Sequence, residues 1–181
     1  MALRINTKEV LAASFQELAR EMPLESILIK DITDNCGASR TTFYKHFKDK
    51  YDLMNWIFKR DVDVLLDRLP DSKNQYDEMA VIAEYIYRNK EFYSNVNHYK
   101  DQNSLRDFIV GYASEYMLDK LRKRNLEEKI TDDLIFSIRQ YVASIAYMLS
   151  LWIDGRYQED PKIFSKKVCD NIPEKIAVYF S

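Results

Sequence analysis

Residues 26–53 read SILIKDITDNCGASRTTFYKHFKDKYDL, and this stretch decides the fold. Ile29 to Cys36 reads as one helix, and Gly37 stands where a left-handed residue ends it. Ser39 is a good N-cap for a second short helix running through Phe47. Two helices joined by so tight a turn have helix-turn-helix spacing. On the second helix Phe43 and Phe47 fall four apart and pack inward, which leaves Arg40, Thr41, Thr42, Tyr44 and Lys45 facing outward. Arginine can grip guanine with two hydrogen bonds, threonine offers a hydroxyl and a methyl, and tyrosine can bond phosphate. A surface helical hairpin of no special purpose is the plain alternative.

Charge sharpens the reading. Residues 36–50 hold Arg40, Lys45, Lys48 and Lys50 against Asp49, with His46 among them. The whole chain of 181 residues carries 27 Lys/Arg and 29 Asp/Glu, a net charge of −2. A basic segment on an acidic chain points to a local anionic contact, not to a surface basic all over, although a solvated lysine cluster has the same composition. Upstream, Leu11, Phe15, Leu18 and Met22 form one stripe of a helix from Thr7 to Met22, with Asn6 and Glu9 as a capping-box start and Pro23 as its stop. Downstream, a helix from about residue 50 to Leu69 turns Leu53, Ile57, Phe58, Val62 and Leu65 inward, with Pro70 beyond it.

Further out the helices lengthen. One spans about Tyr76 to Lys90 with Met79, Ile82 and Ile86 inside, and residues 91–100 (EFYSNVNHYK) read as a loop or broken turn. Others run from about Ser104 to Lys123 and from a Thr131 cap to about Asp154, ended by Gly155. A last helix begins at Asp160-Pro161 and keeps one stripe (Phe164, Val168, Ile172, Ile176, Phe180) across Pro173, which predicts a kink there, not a break. Only three glycines and four prolines occur, too few for the turns of a sheet, so the fold class is all-α, with eight or nine helices. No apolar run approaches the ~20 residues of a membrane span, and no signal peptide is evident, so a cytoplasmic location is expected. Cys36 and Cys169 read as small buried hydrophobes, and His46 and His98 belong to no metal-ligand cluster. No cofactor is implied and no catalytic constellation is present; a helical enzyme is a distant alternative.

The run C-G-A-S-R-T-T-F-Y-K-H-F-K-D-K-Y-D-L resembles the A-G-V-S-x-x-T-x-Y-x-H-F-x-x-K-x-x-L signature of the TetR/AcrR transcriptional regulators. Gly37, Ser39, Thr42, Tyr44, His46, Phe47, Lys50 and Leu53 match in register. The similar helix pattern covers residues 7–60, and the Tyr-rich C-terminal half, with S-L-W-I-D-G at 150–155, is similar to the dihydroxyacetone-kinase-operon regulator subgroup. Three residues depart from the pattern: Leu28 replaces the usual Ser/Thr cap, which shifts the cap to Ser26 or removes it, Thr41 stands where many members have Gly, and Ala38 replaces Val.

The resemblance implies an N-terminal helix-turn-helix DNA-binding domain (residues 1–50) and a C-terminal helical effector and dimerisation domain (51–181). Residues 39–46, Ser39 included, would read the operator, with Arg40, Thr41 and Thr42 at base edges. Tyr44, His46 and Lys50 match phosphate-contacting positions, Lys45 suits either role, and Lys30 matches a basic position on the second helix. Phe43, Phe47, Ile32 and Leu53 would form the small core between the helices. Phe92, Tyr93, Phe108, Tyr112, Tyr116, Tyr141 and Trp152 either line an effector cavity or fill a Tyr-rich core. Ala143, Ala146, Ser150, Phe164, Val168 and Ile172, on the last two long helices, are the expected homodimer contacts. The expected partners are a palindromic double-stranded DNA operator, a second copy of the chain and a small-molecule effector of unspecified identity, with no membrane. Repression is the expected sign, activation the alternative, and an effector-binding module without DNA function a further one. An effector would act by biasing the tilt of the 50–69 helix, and so the separation of the two reading helices.

Overall fold

The computed structural model describes residues 6–69, 74–98 and 104–180. Every regular element among them is helical: α1 (Thr7–Glu21), α2 (Ile29–Cys36), α3 (Arg40–Tyr44), α4 (Lys50–Asp67), α5 (Gln75–Arg88), α6 (Lys90–Asn97), α7 (Leu105–Lys123), α8 (Asp132–Ile153), α9 (Pro161–Asp170) and α10 (Glu174–Ala177). Single 3-10 turns lie at Leu24–Ser26 and Glu127–Lys129. Pro70 and residues 99 and 100 of the expected loop lie outside the described residues.

Caps account for most of the boundaries. The Asn6 side chain accepts from the Lys8 N–H (3.1 Å), while Glu9 reaches across to Arg60 on α4 (2.5 Å). Leu28 has no acceptor to offer at the start of α2; the Asp31 carboxylate takes the Leu28 N–H instead (2.8 Å), so the cap has not moved to Ser26. Gly37 ends α2 at φ +70°. A Cβ there would meet nothing within 4 Å, so Gly37→Ala carries only the left-handed backbone cost. A loss of about 1–2 kcal/mol is expected in thermal or denaturant unfolding.

Four expectations are corrected. Residues 90–97 form α6, because Phe92, Tyr93 and Val96 are buried against helices distant in sequence. On α4 the inward residue is Leu66, with Leu65 only half-buried. Pro173 breaks the last helix outright: it has no N–H to give, disfavours helical backbone at Ile172, and itself sits extended (φ −60°, ψ 137°) before α10. And α8, with 22 residues and a mean hydropathy of 1.4 over its most apolar window, is long and apolar enough to cross a membrane by length and composition. Its polar residues cluster at the N-terminal end, and Leu134, Ile138, Tyr141, Val142, Ala146, Leu149 and Trp152 are buried within the chain.

The larger core joins α1–α4 to α6, around Phe15, Ile32, Phe43, Leu53, Ile57 and Phe92. A second cluster fills the far end of α7 and α8 under α10, around Leu121, Ile138 and Ile176. Such burial of large apolar side chains, at about 25 cal/mol per Å², is what holds helices this short in place.

Candidate nucleic-acid interface and C-terminal cavity

The α2–α3 pair is seated from below. Ile32, Phe43, Phe47 and Leu53 are all buried, as expected of the small core. Ser39 caps α3 by accepting the Thr42 N–H (3.0 Å), and its hydroxyl lies 2.8 Å from that of Thr42. α3 has five residues and stops short of Phe47, yet the Phe47 N–H still reaches the Phe43 carbonyl (3.0 Å), and this last turn keeps both rings inward. Toward α1, the buried Ser14 hydroxyl donates to the Ile32 carbonyl (2.7 Å), and the Asn35 amide donates to Ser14 and Glu17 (3.1 Å each).

With that face buried, Lys30, Ser39, Arg40, Thr41, Tyr44, Lys45 and His46 are exposed together and Thr42 is half-exposed. Among the described residues no carboxylate pairs with Lys30, Arg40, Lys45 or Lys48. Unpaired cations on one side of a short helix pair are what a polyanion neutralises, releasing its own counterions.

Lys50 is different. Its ammonium is turned inward and donates to the carbonyls of Leu24 (2.7 Å), Glu25 (3.1 Å) and Ile27 (2.8 Å). All three N–H groups are engaged, so in this conformation it fastens the α1–α2 turn to the start of α4 and offers nothing to a phosphate. Burial lowers its pKa from the ordinary lysine value, with Glu25 and Asp31 pulling the other way.

In the C-terminal half a cavity of about 120 Å³ opens between α4, α5, α7, α8 and α9. Tyr112 and Tyr116 line it, one helical turn apart. Their hydroxyls also have partners, as core tyrosines do: Tyr112 donates to Asp63 on α4 (2.6 Å) and Tyr116 to Glu78 on α5 (2.9 Å). Burial, together with those carboxylates, raises both hydroxyls far above the ordinary tyrosine range. The other expected aromatics lie elsewhere. Phe92 meets Phe15 edge-on (6.0 Å), Tyr93 meets Phe58 (6.4 Å), and Phe108 stacks on Tyr112 outside the lining. Trp152 stacks on Phe164 (4.6 Å), and Tyr141 donates to the Val168 carbonyl (3.1 Å) beside a groove between α8 and α9.

Two lining residues escaped sequence reasoning. Glu78 is nearly buried and ion-paired with Lys120 (2.9 Å). The signal was there: Glu78 shares a stripe with Ile82 and Ile86, and Lys120 shares one with Tyr116 and Tyr112. The expected dimer contacts divide: Ala146, Phe164 and Val168 are buried in the chain's own core, Ser150 and Ile172 are half-buried, and only Ala143 is exposed. The exposed face of α8 carries Phe136 and Tyr147 instead.

Residues 73–174, more than half of the chain, match the model of a TetR-type transcriptional regulator C-terminal region. The chain is 27% identical over 121 residues to a transcriptional activator of the dhaKLM operon, DhaS, from Lactococcus lactis; the match spans 67% of this chain and 63% of that relative's length. It is 31% identical over 78 residues, 41% of the chain and 42% of the relative, to a helix-turn-helix-type transcriptional regulator of Staphylococcus aureus (strain USA300). In fold it is similar to a solved dihydroxyacetone kinase operon activator DhaS (TM-score 0.65, 21% identity, 98% of this chain and 99% of that one). It is also similar in fold to ligand-free RolR (TM-score 0.57, 15% identity, 94% and 93%). These relatives are regulators, not enzymes, and the chain belongs to the TetR family of transcriptional regulators.

Proposed function

We propose that this regulator is a cytoplasmic homodimer that reads a palindromic operator with α2 and α3 of each subunit and is released by a small effector held in the C-terminal cavity. In this reading residues 1–50 are the DNA-binding domain and 51–181 the effector and dimerisation domain. One observation carries it: Lys30, Arg40 and Lys45 stand exposed and, among the described residues, without carboxylate partners, beside exposed Ser39, Thr41, Tyr44 and His46, above a buried Phe43–Phe47 floor. In a twofold dimer two such surfaces read half-sites one helical turn apart, about 34–36 Å. The cavity has a physical route to them. Tyr112 on its wall holds Asp63 of α4, the Tyr85 hydroxyl holds Asp61 of α4, and Asn95 of α6 is bonded to the end of α1. A shift of α7 or α5 therefore loads α4, the helix that follows α3, so effector and operator disfavour each other.

The test is a mobility-shift titration against the DNA upstream of the protein's own gene. Arg40→Ala is expected to weaken binding by about 1–3 kcal/mol and to relax preference at one operator position. Equal affinity of the variant at every salt concentration would remove α3 from the groove. Activation is the second reading, favoured by the dhaKLM activator from Lactococcus lactis. A reporter fusion decides: deleting the regulator raises transcription if it represses and lowers it if it activates.

A further inference from the structure

The cavity lining has an asymmetry of donors and acceptors that restricts what can enter. Apolar side chains, among them Phe58, Val62, Ile109, Met117 and Leu149, make most of the wall. Its hydroxyl and thiol donors are already engaged, and its amide and ammonium donors are engaged in part. Tyr112 donates to Asp63, and Tyr116 donates to Glu78 Oε1. The Lys120 ammonium donates to both Glu78 oxygens (2.9 Å each) and sits over the Tyr116 and Phe180 rings (5.5 and 5.8 Å). The Gln75 amide donates to the Tyr141 hydroxyl (3.3 Å), and burial pushes the Cys169 thiol up to about 11, so it stays neutral and donates to the Gln75 carbonyl (3.8 Å). What remains open is chiefly acceptor capacity on Glu78 Oε2, whose one bond here is to Lys120, against a third Lys120 N–H beside the aromatic rings and a second Gln75 amide N–H.

Charge restricts the occupant further. Glu78 is balanced by Lys120 and Asp63 by Lys59, so the wall offers no uncompensated charge to an ion that would lose its hydration on entry. Size is the third restriction: a cavity of about 120 Å³ is slightly smaller than the ~150 Å³ apolar cavity that admits benzene. We propose that the occupant is a small uncharged molecule, one aromatic ring or a short aliphatic chain, bearing a hydroxyl or N–H that donates to Glu78. This rests on the cavity being the effector site and specifies the class of effector it takes.

Calorimetry on the full-length protein tests it with phenol, its non-donating isostere fluorobenzene, and the ions benzoate and benzylammonium. Phenol is expected to bind one per chain, about tenfold more tightly than fluorobenzene, with no measurable heat from either ion. Ala113→Leu, which fills the cavity from α7, should abolish phenol binding. In Glu78→Leu/Lys120→Met, which exchanges the buried ion pair for apolar groups of similar size, fluorobenzene should overtake phenol; its melting temperature reports that it has folded. Equal or tighter binding of fluorobenzene or of an ion to the unaltered protein overturns the proposal. So does phenol binding that survives Ala113→Leu, or no saturable binding of any probe. A mobility shift with phenol present separates the two readings. Phenol bound without release of operator upholds the ligand class and overturns the effector role; operator release by a cell metabolite while no probe binds does the reverse.

Discussion

Phe136→Glu/Tyr147→Glu is expected to convert the protein to monomers, with operator affinity falling to that of a single half-site. Both side chains lie on the exposed face of α8, at 68% and 54% exposure, with Ala143 between them. Large apolar residues at this spacing on a long helix match a helix–helix seam between two copies, and a twofold contact would bury each of them twice. Each aromatic ring withdrawn from water contributes about 1.5–3 kcal/mol, so losing the set weakens dimerisation by three orders of magnitude or more, roughly. Neither residue supports the protomer's own core, so the melting temperature of the monomer should change little. Sedimentation across a concentration series reads the first effect and a half-site against full-site mobility shift the second. A variant that stays dimeric places the seam elsewhere. Ala146→Glu, at a position the sequence places among the dimer contacts, would instead drive a carboxylate into the intrachain core, because Ala146 lies on the buried face of α8.

That contrast shows what a sequence carries and what it leaves out. The N-terminal helices were legible because each signal is local. A stripe at 11, 15 and 18, a capping Asn6, a left-handed Gly37 and a Ser39 cap all act within one turn of chain, and α1 to α4 follow them closely. α6 was not legible. Its Asn95 and Asn97 look like loop formers, yet Asn95 is a tertiary bridge. Its amide donates to the carbonyls of Ala19 (2.6 Å) and Met22 (2.8 Å), and its oxygen accepts the Leu24 N–H (2.9 Å). Nothing near residue 95 announces partners more than seventy positions away. The aromatics divide for the same reason: periodicity gives the face a side chain occupies, and only packing decides whether a cavity or another helix lies opposite. Tyr112 and Tyr116 meet the cavity, while Phe92 and Tyr93 meet α1 and α4.

The same limit applies to Lys50, where motif matching and geometry give opposite expectations for one substitution. As a phosphate contact, Lys50→Met would leave stability alone, weaken every DNA sequence alike and lower the salt slope by about one. As the clamp seen here, it holds three backbone carbonyls of the α1–α2 turn with a single ammonium, and Met fills the stem while leaving Leu24, Glu25 and Ile27 without that donor. Glu25 is exposed and regains water, whereas Leu24 and Ile27 are fully buried and their carbonyls regain less. Hydrogen bonds to a charged donor contribute about 1.5–3 kcal/mol each, so a net loss of about 2–4 kcal/mol is expected, with a clear drop in melting temperature. Lys50→Arg should recover only part of it, since a planar guanidinium cannot point three donors at carbonyls arranged around one nitrogen. Below the new melting temperature the folded variant should keep the slope of log affinity against log salt, because α3 still carries Arg40 and Lys45 outward. Unchanged stability with a reduced slope would return Lys50 to the DNA backbone and require its side chain to swing out of the turn on binding.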